Sequence, residues 1–254
     1  MIPASVRSRI VRWGLNGASA LGVSTIEHRL KCGRSMILDT RDHLANRIRL
    51  EETFEPAVRK EYERLASARI NILDVGANIG YYSLIGAAVI GPDKRVFAFE
   101  PQMEVVNKLR RNIQHNAIKN ISVFQIALSD EAGIATFCIP SHGAEAFGSF
   151  HSNGRFHVAK TVDVQTRRLD DVIAEHSIPE IGLIKLDAEG AEFPILRGAT
   201  RLLSSDNRPA LIFEAHEGNV RPFGYCVFDL LKYVHGFGYR LRQLDNEDWL
   251  AEPQ

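Results

Sequence analysis

The sequence predicts an α/β protein: a mostly parallel sheet with helices on both faces, preceded by a mainly helical N-terminal extension. From residue 70 onward, apolar runs of strand length alternate with helical segments. The runs are continuous rather than alternating, which is typical of buried parallel strands. Glycines and an acid follow the first run directly, in "NILDVGANIG". In such sheets ligands bind beyond the carboxyl ends of the strands, where this loop would lie.

The bulk composition fits one large domain with an extension. The chain has 254 residues, of which 45% are hydrophobic and 24% are charged. We divide it into a mainly helical extension, 1–68, and an α/β domain, 69–254, with a hairpin and loop insertion near 133–165. The formal net charge is +0, which argues against nucleic acid as a partner. Residues 1–50 nevertheless hold nine basic and three acidic residues, so a basic lead-in precedes an acidic body.

Cysteine usage and hydropathy bear on location. The three cysteines are far apart and form no C-x-x-C pair, which favours a reducing compartment over a disulfide framework. No apolar run approaches the ~18 residues of a membrane span. Glycines interrupt the N-terminal stretch, which argues against a signal peptide. We therefore expect a cytoplasmic protein without a membrane span.

The elements follow in a regular order up to the middle of the chain. In the extension we expect a short strand near "SMILDT" and a charged helix at "EPAVRKEYERLAS". "INILDV", "RVFAFE" and "ISVFQIAL" are β-branched or aromatic apolar runs, so they predict three strands. The helix "YYSLIGAAVIG" separates the first two and ends before Pro92. Val105, Leu109 and Ile113 form one apolar stripe and predict the next helix, "MEVVNKLRRNIQHN".

The alternation then breaks and resumes. "GIATFCIP" and "VAKTVDVQT" predict an inserted hairpin, followed by a short helix at "LDDVIAEH". "IGLIKLD" and "PALIFEAH" predict the fourth and fifth core strands, with the helix "AEFPILRGATRLLS" between them. "YCVFDLLKYVHGFG" predicts a helix, "YRLRQL" a strand, and the tail one further strand. The loop 141–157 within the hairpin carries three histidines among glycines. This composition favours a flap that helps choose the substrate, and it argues against a metal site.

The glycine loop is the first candidate binding site. A dinucleotide fingerprint would need glycines at 76, 78 and 81, but the chain has Gly76, Asn78 and Tyr81. The spacing present is Asp74-x-Gly76-x-x-x-Gly80, which argues against a nicotinamide oxidoreductase. Such a loop suits a nucleoside-like ligand with an amino-acid end, whose ammonium an acid at Asp74 would bind.

Two further strand ends supply candidates for the rest of that ligand. Glu100 ends the second strand, about 20 residues beyond the loop, where an acid accepts hydrogen bonds from ribose hydroxyls. Pro101 adjoins it. Ala127 and Leu128, at the end of the third strand, are placed to contact an adenine ring.

The fourth and fifth strand ends carry the candidate catalytic residues. Asp187 ends the fourth strand, Lys185 shares its face, and Glu189 and Glu192 open the next helix. The fifth strand ends in "FEAHEG", which offers Glu214 and His216. An alcohol that acts as a nucleophile must lose its proton, and for a reaction of that kind we expect Asp187 or His216 to act as the base, with Lys185 and Glu189 beside them.

Six segments together resemble one known family. "NILDVGANIGYYSL", "FAFEP", "NIQHN", "QIALSD", "RLDDV" and "IGLIKLDAEGAE" occur in the order of the FkbM family of S-adenosylmethionine-dependent methyltransferases. The resemblance runs from about Phe54 to Tyr239. It implies a Rossmann-like class I methyltransferase sheet of seven strands, the last one reversed, and usually O-methylation. By the match, the cofactor's methionine end would contact Asp74, Gly76, Ala77, Asn78 and Gly80, its ribose Glu100, and its adenine Ala127.

The function expected is methyl transfer from S-adenosylmethionine to a hydroxyl of a small molecule or sugar. Some enzymes of this fold hold Mg²⁺ at strand-end carboxylates, but this chain lacks an Asp-Asp or Asp-Asn pair after the fifth strand, which argues against the metal. A methyltransferase acting on nucleic acid or protein and a non-catalytic cofactor-binding protein remain alternatives. The sequence does not identify the acceptor or the oligomeric state.

Overall fold

A seven-stranded sheet forms the centre of the molecule. The computed structural model describes residues 24–51, 54–141, 144, 147–152, 154 and 157–254. From one edge to the other, the strands are β11 (Tyr239–Gln243), β12 (Asp248–Pro253), β10 (Ala210–Glu214), β9 (Ile181–Leu186), β3 (Asn71–Val75), β4 (Val96–Phe99) and β5 (Ile121–Phe124). Among these seven strands, β12 alone runs antiparallel to its neighbours. The predicted fold class, with its reversed last strand, is confirmed.

Helices cover both faces of this sheet. The described helices are α1 (His43–Leu50), α2 (Pro56–Ala66), α3 (Tyr81–Ile90), α4 (Met103–His115), α5 (Leu169–Glu175), α6 (Glu192–Arg197), α7 (Thr200–Leu203), α8 (Glu217–Val220) and α9 (Val227–Gly236). Ile72 packs with α2 and α3, whereas its neighbour Leu73 packs with α6 and α9. Successive strand residues point to opposite faces, so one buried strand serves two cores. None of these helices combines the length and the apolar character needed to cross a bilayer.

The described part of the extension contains a hairpin as well as helices. β1 (Thr25–Arg29) pairs with β2 (Ser35–Asp39), and the sequence analysis did not predict β1. Asn112 of α4 holds the hairpin in place: its Oδ1 accepts a hydrogen bond from the Ile37 nitrogen at 2.8 Å, and its Nδ2 donates to the Ile79 carbonyl at 2.9 Å. The extension is thereby joined to the loop after β3. The basic residues within 1–23 lie outside the part of the chain that the structure describes.

The insertion forms a separate small sheet. β6 (Ala127–Leu128), β8 (Val158–Arg167) and β7 (Gly133–Pro140) pair in the order β6-β8-β7, and the predicted hairpin strands are confirmed. The prediction of one strand over 121–128 was wrong, because Ala127 and Leu128 leave β5 and pair with Thr166 and Arg167.

The helix predicted over 191–204 is divided in two. Asp170 of α5 causes the division by capping α7, because its two carboxylate oxygens accept hydrogen bonds from the Arg201 and Leu202 nitrogens at 2.8 and 3.0 Å. The chain passes close to another segment at this point, since a Cβ on Gly198 would lie 2.1 Å from the Ser129 carbonyl oxygen. A new helix start is thus fixed by a side chain from a distant element.

Candidate functional site

A cavity of about 450 Å³ opens at the carboxyl ends of the parallel strands. Four loops that follow core or insertion strands line it, at residues 74–79, 99–102, 126–128 and 187–189. The end of β10, the turn 245–248, part of the insertion and part of the N-terminal extension complete the lining. Segments that lie far apart in the sequence therefore meet in one cavity at the sheet edge where ligands bind in such folds.

Close backbone packing fixes the loop after β3. Gly76 has a φ of +75°, and a Cβ there would lie 1.7 Å from the backbone oxygen of Asp187. The Gly76 and Ala77 nitrogens both donate to the Phe99 carbonyl at 3.0 Å. Only glycine fits this position, because a side chain would displace the end of β9. The glycine brings the ends of β3, β4 and β9 together.

Gly80, predicted to contact a ligand, does not belong to the described lining of the cavity. It has a φ of +96° and immediately precedes α3. A Cβ there would lie 2.5 Å from Cδ1 of Leu109. In this structure Gly80 allows α3 to pack closely against α4.

Glu100 lies at the floor of the cavity, 5% exposed. One carboxylate oxygen accepts a hydrogen bond from the Asn78 nitrogen at 3.1 Å, and the other accepts from the Gln102 nitrogen at 3.0 Å. Burial raises the pKa of Glu100 to about 7, although these two hydrogen bonds oppose the rise. Pro101 lines the cavity beside it. The carboxylate is thus fixed in position and desolvated.

Asp74 is also buried in the lining, at 2% exposure. Its carboxylate accepts a hydrogen bond from the hydroxyl of Ser83 in α3, a partner that the sequence analysis did not identify. Burial raises the pKa of Asp74 to about 6, which the Ser83 hydrogen bond and the charge of Lys185 oppose. A serine within the mostly apolar run of α3 is the signal in the sequence that could have revealed this partner, because a buried hydroxyl needs a hydrogen-bond partner.

The opposite wall of the cavity is apolar. Ala127 and Leu128 are 4% and 3% exposed, and they line it together with Phe137, Phe147 and Phe150. These aromatic side chains come from the insertion. The wall offers a flat apolar surface of the kind that holds a planar ring.

Lys185 and Asp187 form an ion pair within the lining. The Lys185 side chain is 1% exposed, and its Nζ lies 3.3 Å from Oδ2 of Asp187 and 5.2 Å from the centroid of the Tyr82 ring. Burial alone would lower the pKa of Lys185, but Asp187 and Asp248 raise it above its ordinary value. Lys185 is therefore charged, and Asp187 is held at the end of β9 by a buried cation.

A group of carboxylates lies beyond this pair. The Nδ2 atom of Asn219 donates to Glu189 at 3.1 Å and to Glu214 at 3.0 Å, which brings the two side chains together. Burial, followed by repulsion from Asp187, Glu189 and Glu192, raises the pKa of Glu214 well above its ordinary value. Glu192 does not line the cavity; its Oε1 accepts from the Ala188 nitrogen at 2.7 Å.

The predicted histidines lie away from this group. His216 does not contribute to the described lining; its side chain is 47% exposed and its Nε2 lies 3.7 Å from Glu247. His151 packs against the ring of Phe223, and His142 lies outside the described residues. Within the part of the chain that the structure describes, no three His, Cys, Asp or Glu side chains are grouped as metal ligands.

A known protein family matches the part of the chain that forms most of the central sheet. The sequence profile of the FkbM methyltransferase domain matches residues 74–241, which includes the end of β3, all of β4, β5, β9 and β10, and most of β11. This chain belongs to the FkbM methyltransferase family. The match begins at Asp74, the residue of β3 at which the lining of the cavity begins.

Individual relatives of this FkbM chain are moderately similar. Hexuronic acid methyltransferase AglP from Haloferax volcanii is 30% identical over 147 residues, 57% of this chain and 55% of the relative. The 2-O-methyltransferase NoeI from Sinorhizobium fredii is 28% identical over 146 residues, 52% of this chain and 58% of the relative. The chain spans just over half the length of these relatives. Cofactor-bound Rv0187 from MTB shares the fold, with a TM-score of 0.50, 12% identity and coverage of 80% and 81% of the two chains.

The sequence analysis missed four carboxylates that line the FkbM cavity: Glu55, Asp245, Glu247 and Asp248. Glu55 precedes α2 with a φ of 46°, and it accepts a hydrogen bond from the Tyr82 hydroxyl at 2.9 Å. Asp248 begins β12 and lies directly across from Glu214 in the antiparallel pair. The Glu-Pro pair at 55 and 56 was the available signal for the first, because an acid held before a helix-starting proline is conformationally restricted. Asp248 had no local signal.

Proposed function

We propose that this FkbM-family chain transfers a methyl group from S-adenosylmethionine to a hydroxyl of a small molecule or sugar. The observation that carries the proposal is the buried Glu100 carboxylate, held by two backbone nitrogens beside the glycine loop. A desolvated carboxylate at the second strand end is suited to accept hydrogen bonds from a pair of ribose hydroxyls. The relatives AglP and NoeI, named for a sugar acid and for 2-O-methylation, support a hydroxylated acceptor.

The residues present fit the cofactor's parts. Gly76 lets the ends of β3 and β9 approach each other closely, and it lines the cavity with Ala77 and Asn78, which suits the methionine end. The apolar wall at Ala127 and Leu128 suits the adenine. When bound, the cofactor supplies an electrophilic methyl group on a sulfonium sulfur. The protein's own contribution is to hold the acceptor oxygen in line and to remove its proton.

Two carboxylates of the lining, Asp187 and Glu214, are candidates for the base that removes this proton. Asp187 is ion-paired with Lys185, so its charge is already stabilised by a buried cation. Glu214 has a raised pKa because of burial and neighbouring negative charges, so its ionised form holds a transferred proton more strongly. We assign proton removal to Glu214, and to Asp187 and Lys185 the positioning of groups near the methyl. Glu189 would orient Glu214 through Asn219.

The lining also bears on the alternative acceptors. Carboxylates outnumber basic side chains around the described cavity. This argues against a nucleic acid as the acceptor, because the carboxylates would repel its phosphate backbone. The question of Mg²⁺ is settled by experiment, with acceptor assays run in parallel with added Mg²⁺ and with chelator.

Calorimetric titration tests the proposal directly. We expect S-adenosylhomocysteine to bind with micromolar affinity, NADH not to bind, and Glu100→Ala to lose most of the affinity. Glu104→Ala, an exposed acid one helical turn away, is the matched control. If S-adenosylhomocysteine does not bind the wild type, the proposed cofactor is wrong.

A further inference from the structure

The charge of the cavity is strongly one-sided. Nine carboxylates and two basic side chains belong to its described lining. On the proposed function, Asp74 and Glu100 are assigned to the cofactor. The seven carboxylates that remain lie around the space left for the acceptor, which no lining histidine shares.

Both basic side chains of the lining are already engaged. Lys185 is paired with Asp187 at 3.3 Å. Arg47 lies 3.3 Å from Glu51, which is not part of the lining, and its guanidinium packs over the Phe54 ring at 4.8 Å. The two cations therefore neutralise at most one of the seven carboxylates directly.

Three of the other carboxylates form a connected acidic wall. Asp248 and Glu214 lie opposite each other on β12 and β10, so their side chains share one face. Glu55 approaches from the extension and accepts its hydrogen bond from the neutral Tyr82 hydroxyl. Among the described residues, no ion pair joins Glu55, Glu214 or Asp248 to a basic side chain. We call these three residues the acidic wall.

Two carboxylate residues of the lining have a strained backbone conformation. Glu55 and Glu189 both lie in the left-handed region, with φ values of 46° and 52°, and both line the cavity. Non-glycine residues in that region are uncommon and cluster at ligand sites, because local strain persists only where the surroundings enforce it. Outside the described lining, Oε2 of Glu192 is buried without a hydrogen-bond partner.

We propose that the acceptor carries an ammonium group on the same sugar or cyclitol unit as the hydroxyl that is methylated, as in an amino sugar or an aminocyclitol. The proposal rests on the proposed function and names its substrate class. Asp248 and Glu55 recognise the ammonium, while Glu214 receives the hydroxyl proton. An acceptor with a carboxylate, as in the name of the relative AglP, would meet the acidic wall and be rejected.

The electrostatics of the acidic wall support this occupant. Burial raises the pKa of Asp248 to about 8, and burial likewise raises the pKa of Glu55. Lys185 opposes both rises, and Asp187 adds to both. A cation favours the ionised carboxylates and would release protons as it binds, whereas a neutral polyol would not.

A charge series on one sugar ring tests the proposal. The probes are methyl 6-amino-6-deoxyglucoside, methyl glucoside and methyl glucuronide, which differ only at carbon 6 in carrying a positive, neutral or negative group. Each is titrated calorimetrically into protein saturated with S-adenosylhomocysteine, which lacks the sulfonium charge. We expect the amine to bind about tenfold or more tightly than the neutral sugar, with proton release, and the glucuronide to bind weakest. Added salt should reduce the difference.

Variants of the protein test which carboxylates cause the preference for the amine. Asp248→Asn and Glu55→Gln should each reduce the preference for the amine several-fold, while S-adenosylhomocysteine affinity shows that the protein is folded. Glu175→Gln, a surface carboxylate paired with Arg167, should change nothing. Equal affinities, a preference for the glucuronide, or no binding of any probe to the saturated protein would overturn the ammonium proposal alone. Failure of S-adenosylhomocysteine to bind would instead overturn the proposed function.

Discussion

The carboxylate of Glu100 accepts a hydrogen bond from the backbone nitrogen of Asn78 at 3.1 Å. The bond ties the end of β4 to the loop after β3, where Asn78 has a φ of 50°. One side chain thus does two things: it holds a strained loop in place and presents a buried acceptor to the cavity. Its replacement should therefore affect both cofactor binding and loop order.

Substitution of Glu100 tests its part in cofactor binding. Glu100→Ala removes the acceptor for a ribose hydroxyl and the hydrogen bonds that Glu100 accepts from the Asn78 and Gln102 nitrogens, so we expect about 30-fold weaker binding of S-adenosylhomocysteine. Glu100→Gln keeps one acceptor oxygen and should lose less. Calorimetry measures both, and an unchanged affinity in Glu100→Ala would remove Glu100 from the binding site.

Binding of S-adenosylhomocysteine should weaken as the pH falls. The pKa of Glu100 is raised to about 7 by burial, and hydrogen bonds from ribose hydroxyls favour its ionised form. Binding then releases a proton, so affinity falls up to about tenfold per pH unit below about pH 7. Titrations in buffers of different ionisation enthalpy count the proton. Glu100→Gln should lose this component of the pH dependence, and a pH-independent wild type would contradict the prediction.

The stability of the protein alone should change with pH in a defined direction through Glu192. Burial raises its pKa from 4.5 to about 7, so the folded state binds the proton more tightly than the unfolded chain. Its stabilising contribution is complete below about pH 4.5 and is lost as the pH rises through about 7. Glu192→Gln should therefore raise the free energy of unfolding at about pH 8, by about 3 kcal/mol, and leave it almost unchanged at about pH 5.

Urea denaturation at the two pH values measures this difference. The exposed Glu131→Gln is the control and should shift neither value. A loss of stability in Glu192→Gln at both pH values would mean that the carboxylate is stabilising as an anion, contrary to the direction of its pKa.

Much of the cofactor side could be predicted from the sequence because it depends on local spacing. A buried apolar run followed by Asp74 and Gly76, and a second run ending at Glu100, place all three residues at one sheet edge once the strands are parallel. All three residues line the cavity, and their contacts with a cofactor stay a prediction. Ser83 was missed because its role depends on which face of α3 meets Asp74.

The acceptor side could not be predicted in the same way because it depends on long-range pairing. Asp248 meets Glu214 only through the antiparallel register of β10 and β12. Glu55 reaches the cavity through a left-handed backbone that proline normally disfavours before it. The expectation for His216 assumed that the strand continues; β10 ends at Glu214, and His216 precedes α8 with its ring exposed.

The loop after β3 should tolerate no side chain at Gly76. Alanine there would need a left-handed φ of +75° and would clash with the Asp187 carbonyl at 1.7 Å, so we expect several kcal/mol of destabilisation and no cofactor binding. Gly224→Ala is the matched control, since its φ is +83° but no atom lies within 4 Å of the added Cβ. It should cost about 1 kcal/mol and leave binding intact. Similar losses in the two variants would show that only backbone strain matters at Gly76.

Two substitutions at the end of β10 distinguish the candidate bases. Glu214→Gln preserves the shape and the Asn219 contact but cannot take up a proton, so we expect kcat to fall about 100-fold or more while S-adenosylhomocysteine affinity is kept. His216→Ala removes an exposed ring outside the described lining and should change kcat little.

The pH profile decides between proton removal and mere packing at Glu214. Because burial and neighbouring carboxylates raise its pKa, it is protonated at low pH, and the wild-type rate should increase as the pH rises through that pKa. Glu214→Gln should be slow and lose this rise, whereas a residue that only packs would lower the rate without changing the profile. A large loss in His216→Ala with the wild-type profile kept in Glu214→Gln would transfer the role of base to His216.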